Sequence, residues 1–159
     1  MSLLAVIRPD DWNLPLLVHV FGAMVLVGGL ATALAFQVIG WRPERPDAAA
    51  RLARWSFRSL LFVAFPAWWV MRIGAEWIYR TEDWENASEE PAWLGIGYIT
   101  ADLGGLLLLV GLILAGLGTR RLSRADGGSS GLVRASAVLV TIALVAYVIA
   151  TWAMSGKPT

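Results

Sequence analysis

The chain has 159 residues, a net charge of +1 and no cysteine. With 57% hydrophobic and 16% charged residues and a mean hydropathy of +0.62, it carries more apolar surface than a soluble domain of this length can hide. The small net charge gives nucleic-acid binding no electrostatic support, and the lack of cysteine excludes a disulfide framework, a thiolate metal site and thiol chemistry.

The first residues, MSLLAVIRPDDWNLP, lack the basic head, apolar run and small-residue cleavage site of a signal peptide, so the first apolar segment is expected to be retained. Four apolar segments follow, at about 14–39, 60–79, 93–117 and 132–154. Each has the roughly 20 residues that cross a hydrocarbon core. In lipid such segments must be helical, because each backbone polar group needs an internal partner. Short connections predict antiparallel neighbours, so the expected fold is all-α. It is an integral membrane four-helix bundle in a single domain, with loops at 40–59, 80–92 and 118–131.

Orientation follows from arginine. Arg42, Arg45, Arg51, Arg54 and Arg58 follow the first segment, Arg120, Arg121 and Arg124 lie between the last two, and Arg134 stands at the start of the last. The intervening loop carries Glu82, Asp83, Glu85, Glu89 and Glu90 against Arg80. The positive-inside rule places both arginine-rich loops in the cytoplasm and both termini outside. Trp12, Trp77, Trp93 and Trp152 fit the outer interface, and Trp41 and Trp55 the inner one. Arginine makes up all the basic residues except Lys157, a bias associated with bacterial genomes, and the expected location is a bacterial inner membrane.

Local signals refine the elements. Pro46 and Asp47 read as a helix start, after which Arg51, Arg54, Trp55 and Arg58 share one face. That face is either a surface touching anionic lipid or the positive flank of a membrane helix. Pro66 should kink the second helix. The stretch ADGGSSG at 125–131 reads as a flexible linker, and Asn86-Ala87-Ser88 matches a glycosylation sequon by chance. Rows of small residues, including Gly22, Gly28 and Gly29 in the first helix and Gly97, Ala101 and Gly105 in the third, predict close packing of these two helices or of a second copy. A faint internal echo lays Gly22 on Gly105, Gly28 on Gly111 and His19 on Asp102.

Ionisable residues well inside the apolar segments are His19, Arg72, Glu76 and Asp102. At 1.5 Å per residue from the nearest interfacial Trp, His19 lies ~10 Å deep, Arg72 ~8 Å and Asp102 ~13 Å. Helical side chains lean toward their own N-terminus. Arg72 and Glu76 therefore lean down the second helix, while His19 and Asp102 lean up theirs. The expectation is a buried Arg72 bracketed by Glu76 and Asp102, with His19 near. Intramembrane charges are costly unless paired. The cluster is either a structural pin fixing helix register or a site for a proton, an ion or a small solute. A third reading binds b-type haem through His19, with Met71, Met154 or a second subunit's His19 opposite. Trp68, Trp69 and Phe65 then line a flat cofactor, or else simply pack. No other cofactor and no metal site is implied. The expected partners are the lipid bilayer and, through the Gly/Ala-rich faces, a homo-oligomer or larger membrane complex. A non-enzymatic membrane protein is the leading expectation.

The run His19-Val-Phe-Gly-Ala-Met-Val-Leu-Val-Gly28-Gly29-Leu30 resembles the first helix of small bacterial integral membrane proteins grouped as a domain of unknown function. It is similar, more distantly, to that of copper-resistance D-type membrane proteins and of the haem-linked protoporphyrinogen oxidase of the HemJ type. The resemblance covers about a dozen residues. It implies the architecture and leaves the activity open.

Overall fold

The structure is a computed structural model that describes residues 13–41, 46–84, 91–123 and 131–156. The sequon, most of the 125–131 linker, Trp12, Arg42, Arg45, Arg124 and Lys157 lie outside the described residues.

Five helical elements follow in order: α1 (Asn13–Ile39), α2 (Pro46–Ser59), α3 (Phe65–Thr81), α4 (Ala92–Leu122) and α5 (Gly131–Gly156). α2 and α3 are one continuous run joined by a π-turn over Leu60–Ala64. The chain is therefore all-α, with four helices packed antiparallel. The run from Pro46 to Thr81 spans roughly 54 Å at 1.5 Å per residue. Its start at Pro46 turns most of the expected 40–59 loop into helix. Proline suits a first turn because its missing N–H has no partner to lose there.

The π-turn has a cause in the sequence. Pro66 has no N–H to donate, and its ring would crowd the carbonyl of Phe62 four residues back. The helix widens just before it, and the Phe65 N–H bonds to the Leu60 carbonyl five residues back. The disturbance expected at Pro66 takes this form.

α1, α4 and α5 are each long and apolar enough to cross a membrane. Their outer faces are apolar as well: Met24, Ile99, Ile113, Val138 and Trp152 are exposed. By helix length and hydropathy this is a multi-pass membrane protein, and those faces meet lipid. Hydroxyls in the spans are quieted locally. Thr32, Thr119, Thr141 and Thr151 each donate to the carbonyl four residues back.

Going round the bundle, α1 lies beside the α2–α3 run, that run beside α4, α4 beside α5, and α5 beside α1. The two glycine-rich helices, α1 and α4, are thus diagonal. Their expected mutual interface does not form, because each spends its small residues on a sequence neighbour. A Cβ at Gly29 would lie 3.1 Å from the Ala64 backbone nitrogen, and Gly22 abuts the backbone of Met71. On α4, a Cβ at Gly104 would meet the Tyr147 ring at 2.7 Å, and Gly97 abuts Met154 on α5. Between the pairs, Leu26, Leu30, Leu60, Leu108 and Val140 form a fully buried apolar centre.

Candidate functional site

Two polar regions lie on either side of that apolar centre. At the arginine-rich end, Gln37 of α1 donates through Nε2 to Ser136 Oγ of α5 at 3.0 Å. Ser136 Oγ donates in turn to the Gly111 carbonyl of α4 at 2.8 Å. Gln37 and Ser136 are both buried. Ser59 Oγ ties the α2 end to the Gly29 carbonyl of α1 at 2.9 Å.

At the opposite end the bundle holds a half-open cavity of about 1090 Å³ with walls from α1, α3, α4 and α5. One flank is closed by a ladder of ties between α3 and α4. Trp68 Nε1 donates to the Ala101 carbonyl at 2.9 Å, and Gly105 leaves room for that indole. Arg72 Nε lies 3.3 Å from Asp102 Oδ1. The Tyr79 and Tyr98 rings meet edge-on at 5.7 Å, and just past the end of α3 those of Trp84 and Trp93 do so at 5.8 Å. The flank between α1 and α5 is different. In this half it is bordered by Val20, Met24, Val148 and Trp152, which are exposed and apolar. The cavity therefore faces the lipid side between α1 and α5.

Arg72 is held on several sides. Besides Asp102, it has a guanidinium nitrogen 3.4 Å from Glu76 Oε2, and its guanidinium lies 4.8 Å over the Tyr98 ring. Glu76 also pairs with Arg80 at 3.3 Å. Arg72, Glu76 and Asp102 are thus brought together, in a chain that runs on to Arg80. The side chains of Arg72, Glu76 and Asp102 are 24%, 42% and 63% exposed. The group lies along the α3–α4 seam, with Arg72 on the cavity wall, and is not sealed in the bundle interior. Two carboxylates and two guanidinium groups leave it without net charge.

His19 stands apart from this chain. Its Nδ1 is 2.9 Å from the Met71 carbonyl of α3. Because a carbonyl only accepts, Nδ1 carries the proton, and in the neutral ring Nε2 is left with a bare lone pair. The close approach of α1 and α3 makes this bond possible, since a Cβ at Gly74 would fall 2.6 Å from the His19 backbone nitrogen. His19 lines the cavity, as do Met71, Tyr147 and Met154.

No protein-family model, curated protein or solved structure matches this chain. The likeness of its first helix identifies no family, so any functional reading rests on the cavity and its walls.

Several of these residues were missed by reading for ionisable groups alone. Gln37 and Ser136 carry no charge, yet an amide or hydroxyl in an apolar run was a visible signal. Arg80 sits four residues after Glu76, a spacing that favours an ion pair on a helix. The Met71 carbonyl had no sequence signal, because backbone acceptors become specific only once two helices touch.

Proposed function

We propose that the protein binds an apolar-bodied ligand taken laterally from the bilayer, with the His19 Nε2 lone pair as its polar anchor. The cavity carries this reading. A volume of about 1090 Å³ lined mainly by apolar and aromatic side chains, with a few convergent polar groups, is the usual form of a small-molecule site. The Arg72–Glu76–Asp102 group acts as the structural pin. It closes the α3–α4 seam and holds one cavity wall, and its internal neutrality leaves little attraction for an ionic solute. The fully buried Leu26, Leu30, Leu60, Leu108 and Val140 weigh against through-passage of protons or solutes in this conformation. The arginine distribution, nine basic residues at one end against three at the other, supports a cytoplasmic arginine-rich end, outer termini and a bacterial inner membrane.

A specific observation favours b-type haem as a second reading. Histidine ligands commonly donate their other ring N–H to a carbonyl, as His19 does to Met71. Met154 also lines the cavity and offers a thioether, and the first-helix likeness to haem-linked membrane proteins points the same way. When bound, haem would supply electron-transfer chemistry. His19 would hold its iron through Nε2, and the apolar walls would exclude water from it.

Purification in mild detergent followed by native mass spectrometry and absorbance spectroscopy tests both readings. A bound apolar molecule is expected in the wild type, with loss of occupancy in His19→Ala and in the cavity-filling Ala23→Phe. A Soret band that disappears in His19→Ala assigns the ligand as haem. Wild-type protein that binds no molecule beyond what the two variants bind refutes the ligand site.

A further inference from the structure

The arginine-rich end is separate from the cavity, and its charges are met differently. At the cavity end Arg72 and Arg80 each pair with a carboxylate. Arg51, Arg54 and Arg58 of α2, Arg120 and Arg121 of α4 and Arg134 of α5 are all exposed. None of these six has an ion pair among the described residues. The sequence places nine arginines at this end against Glu44, Asp47 and Asp126.

Two of the six share a seam. A Cβ at Gly116 would lie 3.0 Å from the Phe57 ring, and one at Gly105 would lie 2.5 Å from the Trp68 indole. As the α2–α3 run advances from Phe57 to Trp68, its partner on α4 thus retreats from Gly116 to Gly105, so the two are antiparallel and in steady register. Arg54 precedes Phe57 by three residues, and Arg120 follows Gly116 by four. Residues three and four apart share a helix face. Arg54 and Arg120 therefore stand at one level on either side of the α2–α4 seam. A narrow cleft lined by Ala53, next to Arg54, and by Leu122, just after Arg121, agrees with that level. Arg51 and Arg121 are turned further round their helices, about 120° and 140° from the seam at 3.6 residues per turn.

The surface above these arginines is apolar. Phe62, one turn after Arg58, is 69% exposed, and Ile113, one turn before Leu117, is exposed as well. At 1.5 Å per residue Arg54 lies ~12 Å below Phe62, at the depth of lipid headgroups. The Arg58 guanidinium lies 5.2 Å over the exposed Trp55 ring between them.

We propose that the α2–α4 seam binds an anionic phospholipid, its phosphate held between Arg54 and Arg120 and an acyl chain laid against the surface that Phe62 and Ile113 present. Guanidinium groups grip phosphate through a planar fork. Two of them beside one seam repel each other, and a phosphate between them removes that repulsion. The adjoining apolar surface selects a lipid over a free anion, which would gain nothing from it. The site is independent of His19 and of the cavity.

Electron paramagnetic resonance of spin-labelled lipids tests this on the full chain in phosphatidylcholine vesicles, through the fraction of label immobilised at the protein. Near an anionic surface one arginine is worth about fivefold in binding. Labelled phosphatidylglycerol should therefore associate at least about fivefold more strongly than labelled phosphatidylcholine. Arg54→Gln with Arg120→Gln should bring that ratio close to one. Arg51→Gln with Arg121→Gln, an equal loss of charge turned away from the seam, should retain most of it. A wild-type ratio near one overturns the proposal. So does an equal fall in both double variants, which would mean a diffuse positive flank. Loss of the preference on adding inorganic phosphate at constant ionic strength also overturns it, because the seam would then take free phosphate.

Discussion

Replacing Gly74 with alanine should separate α1 from α3. The added Cβ would lie 2.6 Å from the His19 nitrogen, 2.7 Å from its Cα and 3.0 Å from its Cβ. Non-bonded heavy atoms of this kind rest at about 3.5–4.0 Å, so the two helices must part by roughly 1 Å. Two of these three obstacles are backbone atoms, and a rotamer change moves none of them. Overpacking of this sort costs about 1–3 kcal/mol, or roughly a 5- to 150-fold rise in the unfolding constant. The same displacement would stretch the His19–Met71 bond from its present 2.9 Å to about 4 Å, beyond hydrogen-bonding range. Alanine also has a better helix propensity than glycine by about 1 kcal/mol, which offsets part of the loss. Gly28→Ala isolates that gain, because a Cβ there meets nothing within 4 Å. Reversible unfolding in mixed micelles, followed by tryptophan fluorescence, compares the two variants. If Gly74→Ala is as stable as Gly28→Ala, the tight α1–α3 contact is wrong.

Ser136→Ala removes both the acceptor for Gln37 Nε2 and the donor to Gly111, and should cost about 1–3 kcal/mol in the same unfolding assay. A change below about 0.5 kcal/mol would mean that this buried pair does not join α1 to α5. Trp68→Phe keeps an aromatic ring over Gly105 and deletes the N–H bonded to Ala101. A loss of about 1 kcal/mol is expected, and a neutral outcome would show that the indole only fills space. Arg72→Ala leaves Glu76 and Asp102 without their shared cation. It should lower the melting temperature in detergent, and Asp102→Asn on that background should restore part of the loss. A neutral Arg72→Ala would rule out the pin.

The fold was legible because two signals carry it. Apolar length marks α1, α4 and α5, and the short connections force antiparallel neighbours. Helix pairing was harder to read. The glycine rows of α1 and α4 look alike, but small residues say only that something packs closely, not which helix does. Contact at Gly22 and Gly29 goes to Met71 and Ala64, a choice made by the direct connection between α1 and α2. In the site, the direction of helical side chains brings Arg72 to Asp102 across α3 and α4. The expected burial does not follow from that argument, because depth along a helix says nothing about which way a residue faces around it. His19 illustrates a different limit. Its partner is a backbone carbonyl, which is present at every position and becomes selective only through the three-dimensional register.

On the proposed reading, the open flank between α1 and α5 also bears on how ligand binding is to be measured. In a bilayer, the space behind Val20, Met24, Val148 and Trp152 is bathed in acyl chains at very high local concentration. Any ligand must displace them, so its apparent affinity is a competition constant set by the surrounding lipid. Longer or more saturated chains that fit the cavity poorly would raise that affinity, and a slender detergent that fits well would lower it. The protein–lipid ratio and the lipid composition thus become variables of the binding equilibrium, as substrate concentration is for a soluble enzyme.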